Sequence, residues 1–161
     1  MLGKLSMLNL APNSPLDLAT LASLLTDKAD LSLVWPDANH PFDPEQWRNT
    51  LTSHSGNQSY FVLNDEELIG HAALLETDEP GVLSVSYVFI RSDHRNRGHG
   101  RRLISLLEDE AMKVPSTTAL RLRVRTYNPQ AAHVYEASGF VVTEQEGTLQ
   151  IMRKRLRSLS G

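Results

Sequence analysis

The sequence predicts an α+β fold with a mixed, mostly antiparallel central sheet of six to seven strands and about four helices. Segments that alternate polar and apolar residues, as half-exposed strands do, are interspersed with segments whose apolar residues recur at helical spacing. One strand–helix–strand step, from Val82 to Val124, requires a parallel strand pair, because a crossover of that length returns the chain in the same direction. With 161 residues, 40% of them hydrophobic, we expect a single domain over residues 1–161 with a sizeable core.

The first third of the chain predicts one strand and two helices. Leu5 to Leu10 is the first strand. Ser14 as N-cap and Pro15 at the first helical position predict a helix that continues to Leu25. After a proline-stiffened loop, Asp43 is expected to cap a second helix that runs from Pro44 to about Thr52.

The remaining chain alternates strands with two longer helices. Alternation predicts four strands, which are Ser59–Leu63, Leu68–Leu75, Val82–Ile90 and Ala119–Val124. Helical spacing predicts one helix from His99 to Lys113 and another that is capped by Asn128 and ended by Gly139. A final hairpin joins Val141–Glu144 to Thr148–Arg153.

Composition narrows the function classes. The net charge of −3 gives no reason to expect nucleic-acid binding. The absence of cysteine excludes disulfides, thiolate catalysis and cysteine metal sites, and the histidines show no metal-ligand spacing, so no metal is implied. The N-terminus is not a good signal peptide and no apolar run reaches the ~20 residues of a membrane span, so we expect a cytoplasmic protein without membrane contact.

The turn Arg95-Asn96-Arg97-Gly98-His99-Gly100 is the most informative motif. It connects a predicted strand to the start of a predicted helix, where unpaired N–H groups and the helix dipole attract an anion. Gly98 and Gly100 lack a Cβ, so a phosphate can approach the backbone closely. Neither a P-loop nor a dinucleotide-binding glycine motif is present in the chain.

A second motif lies downstream, in the segment Asn128-Pro129-Gln130-Ala131-Ala132-His133-Val134-Tyr135-Glu136-Ala137-Ser138-Gly139-Phe140. Together with the Arg-x-x-Gly-x-Gly turn, this segment resembles the GNAT superfamily of N-acetyltransferases, which use acetyl-CoA. The resemblance extends from about Glu67 to Arg155.

The resemblance implies where acetyl-CoA binds. The backbone N–H groups of Arg97, Gly98, His99, Gly100 and Arg101, with Arg95 and Asn96 at the start of the loop, would hold the pyrophosphate. The main chain of Val88 and Ile90 would pair with the pantetheine arm and polarise the thioester carbonyl. Asn128 would bond the pantetheine or only cap its helix.

The same resemblance assigns catalytic roles. Tyr135 occupies the position of the acid that protonates the leaving thiolate, although a core aromatic is the alternative. Ser84 stands where many relatives have a glutamate base, and a serine can only orient a water. Other candidate bases are Glu76, Asp78, Glu79, His71 and His133, and we interpret both histidines as ordinary surface residues.

Trp35, Asp37 and Phe42 are candidates for binding a small cationic amine, and a packed cover over the second helix is the equal alternative. The sequence thus predicts an N-acetyltransferase in which a primary amine attacks acetyl-CoA directly. The acceptor is a small amine, a peptide N-terminus or a lysine. The alternative is a non-catalytic acyl-CoA-binding regulatory module. The last hairpin and helix offer a face for a homodimer.

Overall fold

A computed structural model describes residues 7–157 of the chain. This part contains seven strands and five α-helices, and a short 3-10 turn at Ser92–His94. In chain order the elements are β1 (Leu8–Pro12), α1 (Leu18–Leu24), α2 (Lys28–Val34), α3 (Pro44–Leu51), β2 (Gln58–Asn64), β3 (Glu67–Glu76), β4 (Val82–Ile90), α4 (His99–Met112), β5 (Ala119–Arg125), α5 (Pro129–Ala137), β6 (Val141–Glu146) and β7 (Leu149–Arg155).

The strands form one sheet in the order β1-β2-β3-β4-β5-β7-β6. Strands β1 and β2, β5 and β7, and β6 and β7 pair antiparallel, whereas β4 and β5 are parallel. The parallel ladder consists of three pairs, from Val82 opposite Ala119 to Ser84 opposite Arg121, so most of β4 lies outside it. The mixed, mostly antiparallel sheet that the sequence predicted is therefore confirmed.

The described chain contains two compact units. The first comprises residues 7–73 and 87–97, and the second comprises residues 74–86 and 98–157. The core of the first includes Leu21, Leu31, Trp47, Val62 and Ile69, all fully buried. Whether residues 1–161 form a single domain stays a prediction.

The core of the second unit consists mainly of large aliphatic side chains. It includes Leu103 and Leu107 of α4, Leu120 and Leu122 of β5, and Met152 of β7, and each is fully buried. The two α4 leucines are four residues apart and the two β5 leucines are two apart, which are the helical and strand periods that predicted these elements. Burial of one apolar face therefore fixes both elements in this unit.

Two N-terminal predictions were wrong. Helix α1 begins after Asp17, not at Ser14, because the Asp17 carboxylate accepts the Thr20 N–H while Asn13 Oδ1 accepts the Asp17 N–H. Helix α2 had no counterpart in the sequence prediction, so the described chain has five helices where about four were expected. Its N-cap is Asp27, whose side chain accepts the Asp30 N–H.

Other helix boundaries agree with the sequence. Asp43 caps α3 through the N–H groups of Glu45 and Gln46, and Asn128 caps α5 through the N–H of Ala131. The predicted first strand is shifted to β1, and the predicted residues Leu5 and Ser6 lie outside the described ones. No helix between residues 7 and 157 is long and apolar enough to cross a membrane.

Candidate active site

The start of α4 is an uncapped helix N-terminus. Gly98 is the N-cap, with a left-handed φ of 80°, and it makes no side-chain capping hydrogen bond. The first turn contains no acidic residue, so no carboxylate of that turn offsets the positive end of the helix dipole. Asn96, two residues earlier, also has a positive φ of 62°. The turn thus presents backbone donors to solvent, as an anion site requires.

The two glycines of this turn differ in what surrounds them. A Cβ at Gly98 would meet no heavy atom within 4 Å, so the space beside its backbone is open. A Cβ at Gly100 would lie 3.1 Å from Val134 Cγ1, which belongs to α5. Gly100 therefore allows α4 and α5 to pack closely, whereas Gly98 leaves its backbone accessible to a ligand.

Arg95 is bound within the protein. Its Nε donates to the Ile90 carbonyl at 2.7 Å, and one terminal nitrogen lies 3.1 Å from Asp30 Oδ1. Its guanidinium also lies 5.5 Å from the centre of the Phe89 ring. Arg95 thus anchors the loop to the end of β4 and to α2.

Three further arginines surround the turn. Arg97, Arg101 and Arg102 are exposed, and within the described part of the chain they form no ion pair. Their charges are therefore available to a ligand in solution.

Tyr87 distorts β4. It has a φ of 53° in the middle of the strand, a conformation that costs a bulky residue about 1–3 kcal/mol. Its ring centre lies 5.1 Å from that of Trp35 and 5.0 Å from that of Trp47. Its hydroxyl is 3.0 Å from Thr50 Oγ1 in α3. Surrounding contacts therefore hold the strained residue in place.

His71 contacts the main chain of Tyr87. Its Nδ1 lies 2.9 Å from the Tyr87 carbonyl oxygen and its Nε2 lies 2.7 Å from Ser59 Oγ. The side chain is fully buried, and this burial lowers its pKa to about 4. The prediction that His71 is a surface residue was wrong. With both nitrogens engaged, His71 is not placed to accept a substrate proton, whereas His133 is exposed as predicted.

Tyr135 has the properties of a proton-bearing phenol. It is half-buried in α5, 6.1 Å from the Phe140 ring centre, and burial raises its pKa to about 12. Among the described residues its hydroxyl has no hydrogen-bond partner, so it is free to donate to a ligand. The phenol keeps its proton throughout the neutral and moderately alkaline range.

The carboxylates considered as bases are weakly suited to that role. Glu79 forms a hydrogen-bonded ion pair with Arg153, which lowers the pKa of Glu79. Asp78 is almost fully exposed and lies 4.0 Å from an Arg121 nitrogen. Ser84 is half-buried, and its hydroxyl lies 3.0 Å from that of Ser86 on the same strand. The pair of hydroxyls can hold a water, but neither is a base by itself.

Trp35 and Phe42 pack around Trp47 of α3. The Phe42 ring stacks on Trp47 at 5.3 Å with an interplanar angle of 11°, and Trp35 meets it edge-on at 5.0 Å. Asp37 is exposed, and its carbonyl accepts a hydrogen bond from Gln46 Nε2. The two aromatic residues thus pack on α3, Asp37 is exposed, and a role of the three residues in amine binding stays a prediction.

A cleft of about 600 Å³ lies within the first unit. Its charged lining residues are Asp30, Glu67, Arg91 and Asp93. Arg91 pairs with Glu67 and Asp93, and Asp30 pairs with Arg95. The charges of this cleft are therefore largely balanced within the protein.

Sequence reasoning missed the His71 network and the distortion at Tyr87. One signal was present, since β3 places a histidine directly after a glycine in an otherwise apolar run from Leu68 to Leu75. A polar side chain at a buried strand position needs a hydrogen-bond partner. No sequence pattern identified the partner as a main-chain carbonyl of the neighbouring segment.

A model of the acetyltransferase (GNAT) family matches residues 22–140, well over half of the chain. The chain belongs to this family. The matched region includes the uncapped turn before α4, most of the sheet and the helix that carries Tyr135.

Individual relatives agree with this assignment. A spermidine N(1)-acetyltransferase of Vibrio cholerae serotype O1 is 27% identical over 135 residues, which cover 83% of this chain and 76% of the relative. The crystal structure of a Vibrio cholerae spermidine N-acetyltransferase with CoA and spermine matches with a TM-score of 0.74 at 21% identity, covering 92% of this chain and 95% of that one. An acetyltransferase of Thermus thermophilus matches with a TM-score of 0.74 at 25% identity, covering 92% and 96%.

The family assignment settles the reaction class. The protein is an acetyl-CoA-dependent N-acetyltransferase, and acetyl-CoA is its co-substrate. The acetyl group passes to an amine.

Buried His71 makes stability depend on pH. Because burial lowers its pKa from the ordinary 6.5 to about 4, the unfolded chain binds a proton that the folded protein excludes. The stabilisation is complete above about pH 6.5 and is lost as the pH falls towards 4, a change of about 3 kcal/mol. Urea unfolding of the wild type and of His71→Asn across this interval measures it. The free energy of unfolding of His71→Asn should lack the part of the pH dependence that comes from His71.

His133→Asn is the matched control, because it removes an exposed imidazole. It should retain the wild-type slope. A wild-type slope in His71→Asn would show that the buried imidazole does not exclude the proton.

Proposed function

We propose that the acceptor is a small polycationic amine such as spermidine. The segment that holds α1, α2 and α3 is acidic: against Lys28 and Arg48 it carries Asp17, Asp27, Asp30, Asp37, Asp43 and Glu45. An excess of carboxylates raises the local concentration of a cation and orients it. The similarity to spermidine acetyltransferases supports the same acceptor class.

The proposed cofactor site rests on one observation, the uncapped N-terminus of α4. We infer that the backbone N–H groups from Arg97 to Arg101 hold the pyrophosphate of acetyl-CoA. Arg97 and Arg101 add cationic side chains, and Arg95 positions the loop through its bonds to Ile90 and Asp30. This arrangement uses main-chain donors, which need no side-chain reorganisation when the ligand binds.

Gly98→Ala tests the pyrophosphate site. A methyl group there enters open space beside the donors and should weaken CoA binding about 10-fold or more, because it blocks the approach of the phosphate. Isothermal titration calorimetry with CoA measures the affinity.

Gly147→Ala is the control for backbone strain. Gly147 has a positive φ of 59° in the last hairpin, and a Cβ at this position would also meet no heavy atom within 4 Å. Both variants should lose similar stability, but only Gly98→Ala should lose affinity. Equal CoA affinities in the two variants would show that the pyrophosphate does not bind at this turn.

Acetyl transfer proceeds by direct attack of the neutral amine on the thioester carbonyl carbon. The C–N bond forms, the C–S bond breaks, and the thiolate of CoA leaves with a proton. The nitrogen releases one proton as the amide forms, and this proton passes through solvent to restore the proton donor. We propose that Val88 and Ile90 hold the pantetheine arm through their main-chain groups, with Asn128 as a further contact. The Val88 N–H polarises the carbonyl, and Tyr135 supplies the proton to the thiolate.

The amine must lose a proton before it attacks. We propose that a water held by the Ser84 and Ser86 hydroxyls carries this proton to solvent, since the Glu79 carboxylate is paired with Arg153. Without a strong base, the rate should follow the fraction of neutral amine and rise with pH up to the pKa of the acceptor itself.

Tyr135→Phe removes only the hydroxyl and tests the acid. Turnover should fall about 10²-fold while acetyl-CoA affinity changes little, because the lost interaction acts on the leaving thiolate. Release of CoA thiol, followed with a chromogenic disulfide, gives the rate. Because burial raises the pKa of Tyr135 to about 12, no loss of activity from its ionisation is expected in the assay range.

Tyr127→Phe is the control, since Tyr127 is 61% exposed. It should turn over like the wild type. If Tyr135→Phe turned over like the wild type, water and not Tyr135 would protonate the thiolate.

The acceptor is tested with an amine panel and Asp37→Asn. Spermidine should be acetylated in preference to a monoamine of similar length, and mass spectrometry of the product identifies the acetylated nitrogen. Asp37→Asn should raise the KM for spermidine several-fold and leave that for acetyl-CoA unchanged, since the amide keeps the size and loses the charge. The effect should shrink at higher salt because Asp37 is exposed.

Asp65→Asn gives the matched control, because Asp65 is an exposed aspartate in the β2–β3 turn. It should leave both KM values unchanged. Equal spermidine KM values for the wild type and Asp37→Asn would leave the loop with only its packing role.

We further infer that the last hairpin contributes to a homodimer. Strand β6 lies at the edge of the sheet and is exposed along its whole length. Val141 and Val142 are 61% and 43% exposed, which is unusual for two adjacent apolar side chains. The cytoplasmic location stays a prediction.

A further inference from the structure

The peptide that joins Tyr87 to Val88 is held by a side chain from another strand. His71 Nδ1 lies 2.9 Å from the Tyr87 carbonyl oxygen. A carbonyl can only accept, so the proton of the neutral imidazole is on Nδ1, and Nε2 accepts from the Ser59 hydroxyl at 2.7 Å. The direction of both hydrogen bonds is therefore fixed.

The bond to Tyr87 also sets the direction of the next amide. In a planar trans peptide the C=O of one residue and the N–H of the next point in opposite directions. With the Tyr87 carbonyl aimed at His71, the Val88 N–H points away from the imidazole. Tyr87 itself has a left-handed conformation within β4.

Two features keep His71 itself in place. Ser59 Oγ accepts a hydrogen bond from Asn13 Nδ2 at 3.2 Å, and the Asn13 N–H donates to the Ser59 carbonyl at 2.8 Å. The neighbouring Gly70 has no side chain, and a Cβ there would overlap with the Phe89 carbonyl oxygen. The imidazole thus sits between a hydrogen-bonded hydroxyl and a closely approaching strand.

We propose that His71 is a positioning residue that aims the Val88 N–H at the thioester carbonyl oxygen of acetyl-CoA. The proposal rests on the role given above to Val88. His71 never touches the substrate, and its effect on the reaction passes through the Tyr87–Val88 peptide. Its depressed pKa keeps the Nδ1 proton in place as a neutral donor throughout the assay range.

Two isosteric variants separate the two nitrogens. The side-chain amide nitrogen of His71→Asn falls near the Nδ1 position and keeps a donor for the Tyr87 carbonyl. The amide of His71→Gln reaches the Nε2 position and keeps a partner for Ser59 only. His71→Leu removes both bonds, and Ser59→Ala breaks the far bond while it leaves the near one intact.

Infrared difference spectroscopy on bound acetyl-CoA, isotopically labelled at the acetyl carbonyl carbon, reports the hydrogen bond to the thioester directly. In the wild type, His71→Asn and Ser59→Ala the carbonyl stretch should lie below its value in free acetyl-CoA. In His71→Gln and His71→Leu it should return towards the free value. With spermidine, kcat should fall about 10²-fold in His71→Gln and only a few-fold in His71→Asn.

A purely structural role would make the Asn and Gln variants alike in stretch and in kcat, and that result would overturn the proposal even if His71→Leu does not fold. A wild-type stretch equal to that of free acetyl-CoA would refute the role of Val88, and this inference with it. A lowered wild-type stretch that persists in His71→Gln would refute the positioning role alone. Failure of spermidine as acceptor would leave the infrared comparison valid, because it requires only acetyl-CoA.

Discussion

The left-handed backbone of Tyr87 is the constraint around which the first unit is organised. A tyrosine does not adopt a φ of 53° in a strand unless its surroundings determine it. Here α3 contacts its hydroxyl, Trp35 and Trp47 contact its ring, and β3 contacts its carbonyl through His71. The strain of Tyr87 is thus offset by contacts from several elements. The same contacts fix the direction of the rest of β4, from Val88 to Ile90.

The proposed cofactor turn depends on a different principle, in which backbone N–H groups would contact the ligand. Its most conspicuous side chain, Arg95, is already hydrogen-bonded to Ile90 and paired with Asp30. The donors that remain are the N–H groups at the start of α4, with Arg97, Arg101 and Arg102 around them. Arg95 therefore anchors the loop, and in the proposed site the helix terminus and the three exposed arginines are what would bind the pyrophosphate.

Most of the fold could be predicted from the sequence because its elements have strong local signals. Asp43 with Pro44, and Asn128 with Pro129, mark helix starts that the structure retains. Helix α2 was missed because it has only seven residues, one fully buried side chain, and a cap that lies inside an otherwise polar stretch. Ser14 was preferred to Asp17 because local propensity cannot reveal that Asn13 takes up the Asp17 N–H.

The candidate site was predictable only where its residues lie close together in the sequence. Motifs with fixed spacing located the glycine turn and Tyr135, since their residues are close in sequence. The contacts of Tyr87 join residues far apart in the chain, such as His71 and Thr50, and no single-sequence pattern encodes them. The ion pair of Glu79 with Arg153, 74 positions away, likewise removed a candidate base that sequence proximity had suggested.

Gly70 limits how this site can change during evolution. Any side chain at that position would collide with the Phe89 carbonyl, so the inner face of β3 cannot diversify there without moving β4. The exposed loop around Asp37 has no such restriction, because its carboxylate makes no ion pair among the described residues. Divergence among descendants of this chain should therefore accumulate substitutions in the loop around Asp37, while the close approach of Gly70 to Phe89 is inherited unchanged.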